Sequence, residues 1–179
     1  NAGTINVREG GLVALVAPGV ENSGVITARL GRVAMASGDT VTLDFYGDGL
    51  LEVAADSSLL REVVDADGNP LDVAVSNRGT IRADGGQVWL TAASGARILE
   101  TAVNVQGLVQ ADTVAEQDGE IVLTAGDAGG VEIIGTVNAR GTATGGDGGR
   151  VQMAGRRIIQ RGPVDVSGTG EGSGGSVSF

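Results

Sequence analysis

The chain has 179 residues, a net charge of −10 and a pI near 4.3, and a polyanion of this kind argues against nucleic acid and anionic membrane surfaces as partners. It has 32 glycines, one Trp, one Tyr, two Phe and no Cys or His, which excludes disulfide staples and thiol chemistry and leaves a core of Val, Ile, Leu and Ala. No apolar run approaches the ~20 residues of a membrane-spanning helix.

Taken in order, the chain opens with Gly3-Thr4-Ile5-Asn6-Val7 and then Gly11-Leu12-Val13-Ala14-Leu15. In each segment apolar residues two apart point to one face of a short strand, so one side is buried and the other is wet. The leading glycines are expected to take positive φ and turn the chain at a corner. Pro18-Gly19 reads as a turn. The pair returns as Gly24-Val25-Ile26-Thr27-Ala28 and Gly31-Arg32-Val33-Ala34-Met35, followed by a third strand, Thr40-Val41-Thr42-Leu43-Asp44-Phe45.

Residues 47–76 break this rhythm. Leu50–Ala54 reads as a strand, Asp56-Ser57-Ser58 as a cap for a short helical turn, and Asp67-Gly68-Asn69-Pro70 as the turn of a projecting hairpin. Both a hairpin and a helical turn fit this excursion. The pattern resumes with Gly79-Thr80-Ile81-Arg82-Ala83 and Gly86-Gln87-Val88-Trp89-Leu90, and it continues three more times to Phe179. Third strands are expected at Arg97-Ile98-Leu99, Val131-Glu132-Ile133-Ile134 and Arg157-Ile158-Ile159.

The leading glycines of the first half fall at 3, 24, 79, 107, 135 and 162, at spacings of 21, 55, 28, 28 and 27. A fixed period in this range, with strands as the unit, predicts an all-β parallel β-helix solenoid with three strands per coil. Reading the spacing of 55 as two periods predicts a hidden coil and about seven coils in all. The organisation expected is first coils over 1–46, an excursion over 47–76 and a regular shaft over 77–179. Asn1 begins in mid-pattern and Phe179 ends in mid-strand, so the chain reads as a piece of a longer protein.

Asn1, Asn22 and Asn77 each lie two residues before a repeat glycine, where stacked amides can form a ladder or simply serve as turn residues. Other candidate groups carry plain structural readings. Asp44 and Asp48, Asp65 and Asp67, Asp84, Asp112, Asp127 and Asp147 include pairs of the kind used in glycoside hydrolysis, but they lie in or beside turns. Gly145-Gly146-Asp147-Gly148-Gly149 faintly resembles calcium-binding nonapeptide repeats at the wrong spacing. Trp89, between Val88 and Leu90, is expected to point outward, to stack on a sugar, dock a partner or pack beneath a loop. No residue is assigned a catalytic, cofactor-binding or metal-binding role.

Residues 13–28, then Gly31-Arg32-Val33-Ala34-Met35-Ala36-Ser37-Gly38-Asp39 and Thr42-Leu43-Asp44-Phe45, resemble filamentous haemagglutinin-like exoproteins of two-partner secretion. Residues 1–46 look like the end of the haemagglutination activity domain and 77–179 like the β-helix shaft that follows it. The resemblance implies a right-handed β-helix and a non-enzymatic structural segment of a secreted surface fibre. It further implies export by Gram-negative bacteria through an outer-membrane transporter, with a role in adhesion, biofilm or contact-dependent competition. Asn69-Pro70-Leu71 does not match the family's secretion motif, so no secretion-signal residue is carried over. A carbohydrate-active β-helix and an end-to-end self-associating filament are the alternative readings.

Overall fold

The computed structural model describes residues 1–38, 40–43, 51–54, 73–92, 101–115 and 117–179, with 40–43 and 51–54 described by their backbone. Seventeen of its strands form three parallel sheets. The first sheet stacks, in spatial order, β1 (Thr4–Asn6), β4 (Val25–Thr27), β9 (Thr80–Arg82), β12 (Leu108–Gln110), β15 (Thr136–Asn138) and β18 (Val164–Asp165). The second stacks β2 (Leu12–Ala17), β5 (Arg32–Ser37), β10 (Gln87–Ala92), β13 (Glu120–Thr124), β16 (Arg150–Ala154) and β19 (Ser176–Ser178). The third stacks β3 (Val20–Asn22), β8 (Val75–Asn77), β11 (Val103–Val105), β14 (Gly130–Ile133) and β17 (Arg157–Gln160). The chain visits the sheets in turn, so each coil but the last contributes one strand to each and the molecule is a parallel β-helix solenoid.

Register makes the coils equivalent layer by layer. In the first sheet Ile5, Ile26, Ile81, Val109, Val137 and Val164 lie directly on one another. In the second sheet two such columns run inward, through Val13, Val33, Val88, Ile121 and Val151 and through Leu15, Met35, Leu90, Leu123 and Met153. These side chains, with Val75, Val103 and Val131 from the third sheet, are the buried core, and those of the middle coils are fully shielded from solvent. Each layer is shielded only because another lies above and below it, which makes the coil interface the unit of stability.

Two expectations are corrected. Among the described residues the stack holds six coils, the last represented by β18 and β19 only, and no layer lies between the coil of β4 and β5 and that of β9 and β10. Ile26 pairs directly with Ile81 and Val33 with Val88, so the long glycine spacing is one coil carrying an insertion between β5 and β8. The third strands also lie elsewhere. β6 (Thr40–Leu43) is a strand as read, but it pairs antiparallel with β7 (Leu51–Ala54) and joins none of the three sheets. The third strand of the second coil is instead Val75–Asn77, reached after the insertion, and that of the third coil is Val103–Val105. The expected strand at 97–99 and the expected turns at 56–58 and 67–70 lie outside the described residues. The strands read at 131–134 and 157–159 are β14 and β17, with ends moved by one residue.

The leading glycines also act differently from the expectation. None of them has positive φ; among the described glycines that conformation belongs to Gly10, Gly85, Gly126, Gly145 and Gly170. What the leading glycines provide is space. A Cβ built on Gly79 would lie 2.1 Å from the carbonyl oxygen of Gly24, and one on Gly107 would lie 2.0 Å from that of Gly79. The turn itself is made one residue earlier in the second half of the unit, at Gly10 and Gly85, and there Leu30 takes the same left-handed conformation at φ 53 without being glycine.

These contacts set an expected contrast between two substitutions. Gly107→Ala lowers stability by about 1–3 kcal/mol or more, because the obstructing atoms are backbone that cannot turn away. Gly174→Ala, whose Cβ meets nothing within 4 Å, changes stability by less than about 0.5 kcal/mol. Urea unfolding of the two variants compares them directly.

Candidate functional site

Three polar columns and one groove emerge from the stacked register. The first column is an amide ladder at the corner between the third and first sheets. Asn1 Nδ2 donates to Asn22 Oδ1 at 2.8 Å, and Asn22 Nδ2 donates to Asn77 Oδ1 at 2.8 Å. Asn77 Nδ2 closes the ladder by donating to the Leu108 carbonyl at 3.1 Å. Asn22 and Asn77 are completely buried, so these are structural amides with their main donors satisfied. One coil further the column turns apolar: Val105 follows Asn77 in register, and Ile133 follows Val105.

The second column stands where the first sheet ends. Asp84 Oδ1 accepts from Gln110 Nε2 at 2.9 Å and from the backbone N–H of Asp112 at 3.2 Å. Asp112, almost fully buried, accepts from the Arg140 backbone N–H at 2.8 Å and pairs with its guanidinium at 2.9 Å. The hydrogen bond to Asp112 raises the Arg140 pKa, against the opposing effect of desolvation. Nearby, Asp165 Oδ1 accepts from the Ser167 N–H at 3.0 Å. That bond, with a second from the Ser167 side chain and the field of Arg140, holds the Asp165 carboxyl below its ordinary range.

The third column is the glycine-rich loop pair at 141–149 and 167–175. These segments stack on each other rather than hanging free. Gly148 N donates to the Ser173 carbonyl at 2.9 Å, Thr169 N donates to the Gly146 carbonyl at 3.0 Å, and Asp147 Oδ1 accepts from Ser173 N at 2.6 Å. One oxygen of the Asp147 carboxylate is thus engaged by the next loop. Among the described residues no three His, Cys, Asp or Glu side chains converge as a metal site would require.

The groove opens beside this loop pair, along the outer edge of the second sheet. It has a volume of about 380 Å³ and is walled by Gln87, Asp118, Glu120, Arg150 and Ser176 over a floor that includes Gly119, Gly149 and Gly175. Gln87, Glu120, Arg150 and Ser176 are register partners on four successive strands. Gln87 Nε2 donates to Glu120 Oε2 at 2.9 Å, while Gln87 Oε1 is buried and has no hydrogen-bond partner among the described residues. Arg150 and Ser176 are exposed. Two residues beyond Gln87 on the same outward face, Trp89 is half-buried between Ala34 and Val122 of the neighbouring strands.

The structure therefore scatters the carboxylates singled out in the sequence. Asp84 and Asp112 are brought together, but with each other's coil and with Arg140. Asp127 sits exposed in the turn after β13, Asp147 bonds Ser173, and Asp44, Asp48, Asp65 and Asp67 lie outside the described residues. The groove residues were overlooked because each looks like an ordinary wet position. Their signal was the residue directly after the second leading glycine, which is polar in every coil from Arg32 to Ser176. No family model matches this sequence, and no curated protein matches it.

Two outcomes follow from the columns. Asn77→Val leaves the buried Asn22 amide without its partner and lowers stability by about 1–3 kcal/mol, and adding Asn22→Val costs less than the sum of the single changes, as a double-mutant cycle in urea shows. The Asp165 carboxyl is depressed on folding, so its contribution is full above the unfolded carboxylate value of about 3.9 and is lost as pH falls through the lower folded value. Asp165→Asn should accordingly differ from the parent near neutrality and converge with it in acid, read from unfolding midpoints across pH.

Proposed function

We propose that this chain is a non-catalytic structural segment of a secreted surface fibre, of the filamentous haemagglutinin-like type exported by two-partner secretion. The observation that carries the reading is the unbroken stack of coils in one register, with the insertion and the long loops confined to corners. A solenoid of this kind grows by adding layers, so length is its natural product. The resemblance of residues 13–45 to the exoprotein family supplies the export route, and the absence of cysteine suits a chain that threads a pore unfolded and folds beyond it. In this reading the partners are an outer-membrane transporter and a ligand on a host or bacterial surface, and the place of action is the Gram-negative cell surface. The polar columns hold the rod together, and its outward positions are free to carry recognition.

The test grafts residues 1–179 in place of shaft coils in a secretion-competent exoprotein, co-expressed with its own transporter. Surface display, read by protease accessibility on intact cells, is the expected result. A tandem second copy should lengthen the rod by six strand spacings, roughly 29 Å, in electron micrographs. Retention inside the cell of a graft that folds normally when purified would sink the proposal.

A further inference from the structure

We infer that the two ends of the stack fit each other, and that a second copy of this chain docks head to tail, its first coil continuing the first two sheets beyond β18 and β19. The inference goes beyond the fibre reading and stands without it, since association in solution requires no export.

Gly3 is the first sign of the interface. At every later leading glycine of the first half, from Gly24 to Gly162, an added Cβ would lie 1.8 to 2.1 Å from the carbonyl oxygen of the matching glycine one coil earlier. Gly3 holds the same place in its own coil, but a Cβ there would meet only Asn1 Oδ1, at 3.9 Å, and its φ is not positive. Neither a turn nor a close approach among the described residues therefore requires glycine at this position. A coil resting on it would require glycine there, and the carbonyl that comes next in the series is that of Gly162, at the other end of the stack.

The far end presents the matching surface. Val177 pairs with Val151, so Phe179 follows Met153 in the inward column that begins at Leu15. Met153 is buried, whereas Phe179 is 75% exposed because no layer covers it. The second copy's Leu15 is the next member of that column, and its Val13 comes next after Val177. At the amide corner Gln160 follows Ile133 in register and restores an amide after two apolar residues. Its Nε2 reaches the Gly162 carbonyl at 3.4 Å, the same contact within a coil that Asn22 makes to Gly24 at 3.4 Å and Asn77 to Gly79 at 3.3 Å. Stacking places the second copy's Asn1 on Gln160, so the two end amides of the column meet. The second copy's Arg8 stands two residues after Asn6, as Ser167 stands two after Asp165, and so brings a guanidinium beside the Asp165 carboxylate.

Backbone direction agrees with this occupant. A copy displaced along the stack axis keeps every new strand pair parallel, and it covers the open edges of β18 and β19. The contact joins two different faces, so each added copy leaves one of each face open and the assembly grows as a filament.

The experiment follows the purified chain by sedimentation velocity up to about 1 mM. Dimers and longer species that increase with concentration are the expected result. Gly3→Ala obstructs one end and Phe179→Glu puts a charge into the other, and each should weaken association by roughly tenfold or more. Both side chains lie in open space in the single chain, and thermal unfolding of dilute samples confirms that both variants fold as the parent does. Because the variants block opposite ends, an equimolar mixture of the two should form dimers and nothing longer. A parent chain that stays monomeric at about 1 mM would overturn the inference. So would oligomers undiminished in either variant, or a mixture that forms no dimers.

Discussion

At two corners of every coil the backbone of one layer rests so closely on the next that a single added carbon has no place to go. That constraint explains why glycine recurs at these points even though the chain there does not need left-handed φ. It also fixes register. If a coil slid by one residue, a Cβ would meet a carbonyl oxygen about 2 Å away, and every inward side chain would move to the outside. Close contact at the corners and alternation along the strands thus specify the same alignment twice, by steric exclusion and by burial.

Once register is fixed, each position becomes a column, and the columns obey different rules inside and at the edges. Interior columns exchange Ile, Val, Leu and Met from coil to coil with little consequence, because all fill the same layer. The amide column shows the stricter rule. At this corner the carbonyls of Asn1, Asn22, Asn77, Val105 and Ile133 each accept two N–H groups from the following coil, whichever side chain they carry. The backbone geometry therefore does not require asparagine. A run of amides is stable because each has a partner, a run of aliphatics because none needs one, and the two meet where Asn77 turns its last donor to a backbone carbonyl. The Asp84, Asp112 and Arg140 column follows the same logic with charge: buried carboxylates persist where the next coil brings N–H donors and a guanidinium.

This division explains what the sequence disclosed. The first two strands of each unit were legible because a glycine and two apolar residues mark them, and the Asn ladder was legible because its members share an offset from those glycines. The third strands were harder. Each is only three or four residues long and no glycine stands at a shared offset at its start, so Thr40–Leu43, a better-looking strand, drew the assignment. Yet Val20, Val75, Val103, Val131 and Ile158 all lie four residues before a leading glycine, and counting backward from the corner finds them. The spacing of 55 misled for a related reason. Chain length between corners is not what stacks, so an insertion can double the apparent period without adding a layer. The groove was invisible because its residues come from four strands, and only the register places them side by side.

The same separation bears on function. Substitutions that point inward or touch a corner act on every neighbouring coil, whereas outward positions and corner insertions act only locally. The second coil demonstrates the freedom: an antiparallel hairpin leaves the stack after β5, and β8 rejoins it in register with β3 and β11. A rod built this way can alter what it presents along its length while its interior stays the same. Glu120 and Arg150 illustrate the point, since they sit on strands whose inward residues, Ile121, Leu123, Val151 and Met153, are indistinguishable in role from those of any other middle coil. Recognition on such a scaffold is a property of a few adjacent outward columns, and its chemistry is free to change because nothing in the core depends on it.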